Sequence, residues 1–176
     1  MLRTAAALAL LALALTGARA DTPEVGKPAP PLIASQLDGR TFDLASERGK
    51  DVIVNFWATW CGPCRAEMPL LNRFYLAHRA QGLALVGVSV DQRDDTQAVA
   101  DIMKKFAYPA VLAASASSNG FGAPLAVPMT WIIDSRGVVR ARLVAANAVT
   151  ERSLEQAVLP LLPAPAAAAH QGLRVY

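Results

Sequence analysis

The chain is poor in metal-ligating side chains. Its 176 residues include only two cysteines, Cys61 and Cys64, and two histidines, His78 and His170. A tetrahedral zinc site needs four ligands, and beyond the two cysteines only these two histidines exist. A copper-carrier module would want a third soft or imidazole ligand near the cysteines. His78 falls within the stretch that reads as the first helix, and His170 lies near the chain end, so both read as surface side chains. No internal repeat is present. After the first twenty residues no apolar run is long enough to span a bilayer. An excess of one charge is also missing. Lys plus Arg number 17 against 14 acids, and Arg3 and Arg19 lie in the first twenty residues, so the remainder carries 15 against 14. A near-neutral domain gives no electrostatic case for nucleic acid.

Those first twenty residues have a basic start at Arg3, an apolar stretch from Ala5 to Leu15, and small residues at Ala18-Arg19-Ala20. This pattern predicts a cleavable secretory signal over 1–20, a mature chain from Asp21, and export to a periplasm. An uncleaved anchor is the alternative. No cysteine lies near the cleavage position to carry a lipid.

Two cysteines in an exported protein invite a structural disulfide. This one would be a weak staple: on the chain-entropy model so short a loop contributes roughly 2 kcal/mol, against about 4.7 for a 100-residue loop. A bridge that constrains little reads better as one that opens and closes. The apolar run Val52-Ile53-Val54-Asn55-Phe56 reads as a central strand. It leads into Trp57-Ala-Thr-Trp-Cys-Gly-Pro-Cys64, and a helix is predicted from Cys61 to Arg79. A strand running into Cys-x-x-Cys at a helix start is a thioredoxin-like redox context. The helix N-terminus favours the Cys61 thiolate, the form that attacks. Gly62 lets a partner backbone approach, Pro63 falls where a missing N–H costs nothing, and Trp60 forms an apolar wall. Cys64 lies one turn further in and is placed to resolve a mixed disulfide. Glu67 is on the same face one turn deeper, in reach as proton acceptor for Cys64; a solvated helix glutamate is the alternative.

Elsewhere, Leu32 to Gln36 and Thr41 to Leu44 predict a hairpin about Asp38-Gly39. Leu83 to Val90 is a second buried strand, and Val99, Ile102, Met103 and Phe106 stripe a helix. A short strand over 109–113 is followed by an expected loop over 115–122. Strands at 129–134 and 138–144 and a helix capped by Thr150 complete an α/β domain over 21–162. Its mixed central sheet should carry helices on both faces and an N-terminal hairpin extension. The Pro-Ala stretch from Pro163 predicts a disordered tail over 163–176.

These residues together resemble thioredoxin-fold proteins, most closely the exported TlpA-like and ResA-like thiol–disulfide oxidoreductases. The resemblance covers about Gly26 to Leu162. It rests on Gly26-Lys-Pro-Ala-Pro30, Leu37-Asp-Gly39, the block Asn55 to Pro69, and Val127-Pro128 followed by Trp131-Ile-Ile-Asp134. It implies that Pro128 is cis, faces the cysteines, bars metal, and presents the backbone of Val127 to an extended substrate. It also implies a reductase of exported disulfide-bearing proteins, such as apo-cytochromes c or copper-site assembly proteins, with electrons from a membrane thiol transporter and no cofactor. Oxidation or isomerisation of secreted proteins is the alternative direction, and a monomer is expected. A peroxidase would want threonine at position 58, which is Ala. Asn55 stands where cytosolic thioredoxins carry a buried Asp; it cannot take a proton, although a hydrogen-bonded core role is equally open to it. Ala113 to Ser118 and Ala145-Ala-Asn147 depart from the family pattern.

Overall fold

The computed structural model describes residues 23–145 and 149–163. The expected signal over 1–20, the tail beyond Pro163, and Ala146-Asn147 lie outside the described residues.

Strand β3 (Asp51–Trp57) is buried at every position, as its apolar run requires of a strand covered on both faces. It pairs in parallel with β4 (Leu83–Ser89) from Asp51↔Leu83 to Trp57↔Ser89. On its other side it pairs antiparallel with β6 (Met129–Ile133), from Val52↔Ile133 to Phe56↔Met129. With β1 (Leu32–Gln36), β2 (Thr41–Asp43), β5 (Ala110–Asn119) and β7 (Val139–Val144) this makes a seven-stranded mixed sheet in the order β2-β1-β5-β4-β3-β6-β7. The β1–β2 hairpin therefore extends the sheet, turning at Gly39, whose φ of 86° suits glycine. At the opposite edge the lead-in lies along the start of β7. Gly26 N–H donates to Val139 O at 2.8 Å, Val139 N–H donates to Lys27 O at 2.9 Å, and Ala29 N–H donates to Gly137 O at 2.8 Å.

Helix α1 (Gly62–His78) connects β3 to β4, α2 (Thr96–Met103) connects β4 to β5, and α3 (Glu151–Val158) follows β7. Thr150 caps α3, its hydroxyl accepting the Ser153 N–H at 3.0 Å. The distribution of helices is narrower than the expected cover on both faces. Apolar residues of all three α-helices (Cys64, Met68, Leu71 and Phe74; Val99 and Met103; Leu154 and Val158) enter one core cluster, with Ile53, Trp57 and Leu85 from the strands. The other cluster contains Val52, Val54, Phe56, Val86, Val88 and Trp131 and is closed by Leu32, Phe42, Phe121 and Leu44. Of these, Leu44 comes from a single 3-10 turn over Leu44–Glu47. The steps β3 to β4 and β4 to β5 move the same way across the sheet, so right-handed crossovers place α1 and α2 on one face.

The expected loop over 115–122 is corrected. Strand β5 runs on to Asn119 because β1 gives it an antiparallel partner, with Ala34↔Ala116 and Ile33↔Ser118 in register. Backbone pairing carries this half, and the register shifts between Ile33 and Ala34 and between Ala34 and Gln36. Its Ala-Ser sequence has no apolar alternation from which a strand could be read.

Candidate active site

The turn after β3 is held by a buried carboxylate. Asp91, just past β4, accepts the Thr59 backbone N–H at 2.9 Å and the Thr59 hydroxyl at 2.7 Å. The Ser89 hydroxyl donates to the same carboxylate at 2.6 Å. Asp91 is only 3% exposed, so these bonds hold Ala58-Thr59-Trp60 in one geometry against the end of β4. The next residue, Cys61, has extended backbone (φ −84°, ψ 100°) and is the N-cap of α1. Its sulfur accepts the Cys64 N–H at 3.2 Å, where a serine or aspartate oxygen would usually sit. Cys61 and Cys64 form a disulfide with Cα atoms 5.3 Å apart. Pro63, in the first helical turn, has no N–H to leave unpaired.

The two sulfurs are not equivalent. Cys64 is fully buried, and Cys61 retains 5% exposure beside Trp60, which is 71% exposed. Gly62 and Pro63 are exposed as well. A partner can therefore reach Cys61 over a rim of Trp60, Gly62 and Pro63, and cannot reach Cys64 without passing it. Freed from the disulfide, a Cys61 thiolate meets the unpaired N–H groups and positive dipole end of α1, which lower a thiol pKa.

One turn below Cys64, Glu67 is buried in the same helix face. Asn55 on β3 donates one N–H to Glu67 Oε1 and the other to Thr130 Oγ1, each at 2.9 Å. Burial pushes the Glu67 carboxyl up to about 7, an effect the Asn55 bond partly offsets. A carboxyl that exchanges its proton near neutral pH, under a buried thiol, has the chemistry of a general acid–base.

The Val127–Pro128 bond is cis. Pro128 is buried, and the half-buried Val127 packs on the cluster that contains both cysteines. The pairing Phe56↔Met129 places this bond at the same end of the sheet as the cysteine turn. The fold thus gathers Cys61, Cys64, Glu67, Val127 and Pro128 at one end of β3, with Trp60, Gly62 and Pro63 on the rim.

Asn55, open between two readings in the sequence, hydrogen-bonds the buried carboxyl. Asp91 and Thr130 went unnoticed. Thr130 had a faint signal, a polar residue inside the apolar run Met129 to Ile133; Asp91 had only its place at the end of a strand. His78 lies against Phe74 with ring centroids 4.5 Å apart and planes tilted by 49°, and it pairs with Gln81 at 2.8 Å. Among the described residues no group of three or more His, Cys, Asp or Glu comes together to hold a metal ion, and no helix is long and apolar enough to cross a membrane.

Comparison with known proteins places this geometry. A family model described as the AhpC/TSA family matches residues 25–142. The thiol:disulfide interchange protein DsbE of Yersinia pestis is 36% identical over 143 residues, covering 78% of this chain and 72% of that protein. The thiol-disulfide oxidoreductase ResA of Geobacillus thermodenitrificans is 33% identical over 143 residues, covering 79% of each. A crystal structure of a thiol:disulfide interchange protein of the thioredoxin family from Chlorobium tepidum TLS superposes with a TM-score of 0.65 at 26% identity, over 80% of this chain and 99% of that one.

Proposed function

The chain belongs to the AhpC/TSA family and is a thiol–disulfide oxidoreductase of the ResA and DsbE type, and from that premise we propose that it works in the periplasm as a reductase of disulfides in exported proteins. The observation that carries the reading is the asymmetry of the pair: an approachable Cys61 at a helix N-terminus, a sealed Cys64, and a buried carboxyl one turn beneath it.

The Cys61 thiolate attacks one sulfur of a substrate disulfide. A Cys61–substrate bond forms, the substrate S–S bond breaks, and the departing substrate thiolate takes up a proton. Glu67 then accepts the Cys64 proton, and the Cys64 thiolate attacks Cys61 Sγ. The Cys61–Cys64 disulfide closes, the second substrate thiolate leaves and takes a proton from solvent, and Glu67 releases to solvent the proton it took from Cys64. Two electrons have passed to the substrate, and each of its two thiolates has gained a proton. A dithiol donor, for which a membrane thiol transporter is the expected source, reopens the bridge. Val127 and the cis Pro128 present backbone to the substrate strand beside Cys61, and Trp60 covers its apolar side chains. Apo-cytochromes c and copper-site assembly proteins are the substrates that fit such a reductase. A peroxidase reading loses further ground because the Thr59 hydroxyl is already committed to Asp91.

The reduction potential of the Cys61–Cys64 couple, equilibrated against glutathione or dithiothreitol, tests the direction. A value at or below about −250 mV is expected; a value of about −120 to −180 mV would reverse the electron flow to oxidation or isomerisation.

Glu67→Gln tests the proton acceptor. The amide oxygen still accepts from Asn55, and only the titratable proton is lost. Resolution of a preformed Cys61 mixed disulfide should slow by on the order of 10²-fold, and the inflection near pH 7 should vanish. An unaltered pH–rate profile would remove Glu67 from the step.

A further inference from the structure

Asn55 pairs across the sheet with Gly87 of β4. Gly87 has no side chain, and the point a Cβ would occupy lies 3.0 Å from Trp57 Nε1 and 3.4 Å from Tyr108 Cε2. Trp57 is two residues beyond Asn55 on β3 and so on the same face. The absent side chain brings an indole N–H and a phenol to one spot beside the amide that holds Glu67. Four polar atoms there are buried without a protein partner: Asn55 Oδ1, Trp57 Nε1, Glu67 Oε2 and Tyr108 Oη. Buried polar atoms rarely stay unpaired, and four from one neighbourhood need a common explanation.

Their chemistry is complementary. The indole only donates, the amide oxygen and an ionised carboxylate only accept, and the phenol does either. A single water can accept from Trp57 and Tyr108 and donate to Asn55 and Glu67, within the two to four bonds buried waters make. We propose that these four groups form a binding site for one internal water, and that Tyr108 acts through it as a positioning residue that governs when Glu67 holds its proton.

Burial, and then the nearby Glu67 charge, push the Tyr108 phenol above its ordinary value, so it remains a donor throughout the working range. Cys64 stands one turn away on the helix of Glu67, Asn55 of β3 bonds both Glu67 and Thr130 of β6, the Glu67 charge reaches Tyr108 from the segment before β5, and Trp57 of β3 meets Tyr108 at Gly87 of β4. Of these only Tyr108 titrates while the disulfide is closed, and Cys64 joins it once the bridge is reduced. Asp91, the other buried carboxylate at this end of the sheet, is taken up by Thr59 and Ser89. This inference rests on the proposed role of Glu67 for its functional meaning, though not for its test.

The test is a carboxyl 13C NMR titration of Glu67 in the disulfide form, where neither cysteine titrates. Glu67→Gln identifies the signal. Tyr108→Phe removes one donor to the water, so the Glu67 midpoint should rise by about one pH unit. Trp57→Phe should move it the same way and serves if Tyr108→Phe folds poorly. An unmoved midpoint overturns the water site, all the more if Tyr108→Phe gains stability, since a phenol with no partner is better removed. Resolution rates in the same variants keep the two claims apart. A moved titration with an unmoved rate profile leaves the water site standing and takes Glu67 out of resolution. An unmoved titration with a rate profile that still responds to Glu67→Gln removes the water site alone.

Discussion

Replacing Cys64 by serine is expected to stop the reaction halfway, with a covalent Cys61–substrate disulfide accumulating and turnover falling by about 10³-fold or more. Attack on a substrate needs only Cys61, its N-cap position and the exposed rim, all of which survive the exchange. The second step needs a nucleophile that is already inside. Cys64 is fully buried one turn further along α1, and no other cysteine exists to replace it. A serine hydroxyl in that place does not ionise near neutral pH and does not displace a thiolate from sulfur. Non-reducing electrophoresis with a disulfide-bearing target should show the adduct in Cys64→Ser and none in Cys61→Ser. If Cys61→Ser forms the adduct and Cys64→Ser does not, the roles of the two thiols are reversed.

The second large effect is on stability. The Glu67 carboxyl titrates at about 7 in the folded chain, against 4.5 for an ordinary glutamate. Between these values the folded state keeps a proton that the unfolded state has released. Unfolding then sheds a proton, so stability falls as pH rises from 4.5 to 7 and levels off above. The full difference is about 3 kcal/mol, a large share of the 5–15 kcal/mol that holds a typical domain together. Glu67→Gln should therefore raise stability by roughly that amount at pH 8 and change it little at pH 4. The variant expected to resolve mixed disulfides slowly is thus expected to be the sturdier one. Urea midpoints of both proteins across this range would show it; a constant difference at every pH would mean that the carboxyl titrates alike in both states.

What could be read in the sequence followed the strength of local signals. Val52 to Phe56 announced a buried strand because five apolar-rich residues cannot be hidden otherwise. Cys61-Gly-Pro-Cys64 announced both a helix start and a chemistry. The strand Ala110–Asn119 stayed half hidden because its Ala-Ser half is held by backbone pairing with β1, which lies far upstream in the chain. The helices' preference for one face was hidden too, since it depends on the order of strands rather than on any one segment. The carboxyl's surroundings were the least visible part. Asn55 and Thr130 meet across 75 residues, and Asp91 reaches Thr59 across 32. Nothing near Gly87 or Tyr108 in sequence tells that a missing side chain lets an indole and a phenol ring meet there.

The lead-in along β7 bears on how molecules of this protein behave when crowded. An open sheet ends in two rows of unpaired backbone groups, and such rows invite a neighbouring chain to add a strand. Here Gly26 to Ala29 cover the row at Gly137 and Val139. The rest of that edge carries Arg140, bonded to Asp134 at 2.7 Å, and Arg142, drawn over the Trp131 ring at 5.1 Å. The opposite edge, β2, is three residues long and ends in Asp43. Neither margin among the described residues offers a long, flat, uncharged ribbon, so edge-to-edge joining of one sheet to the next to seed fibrils has little to build on.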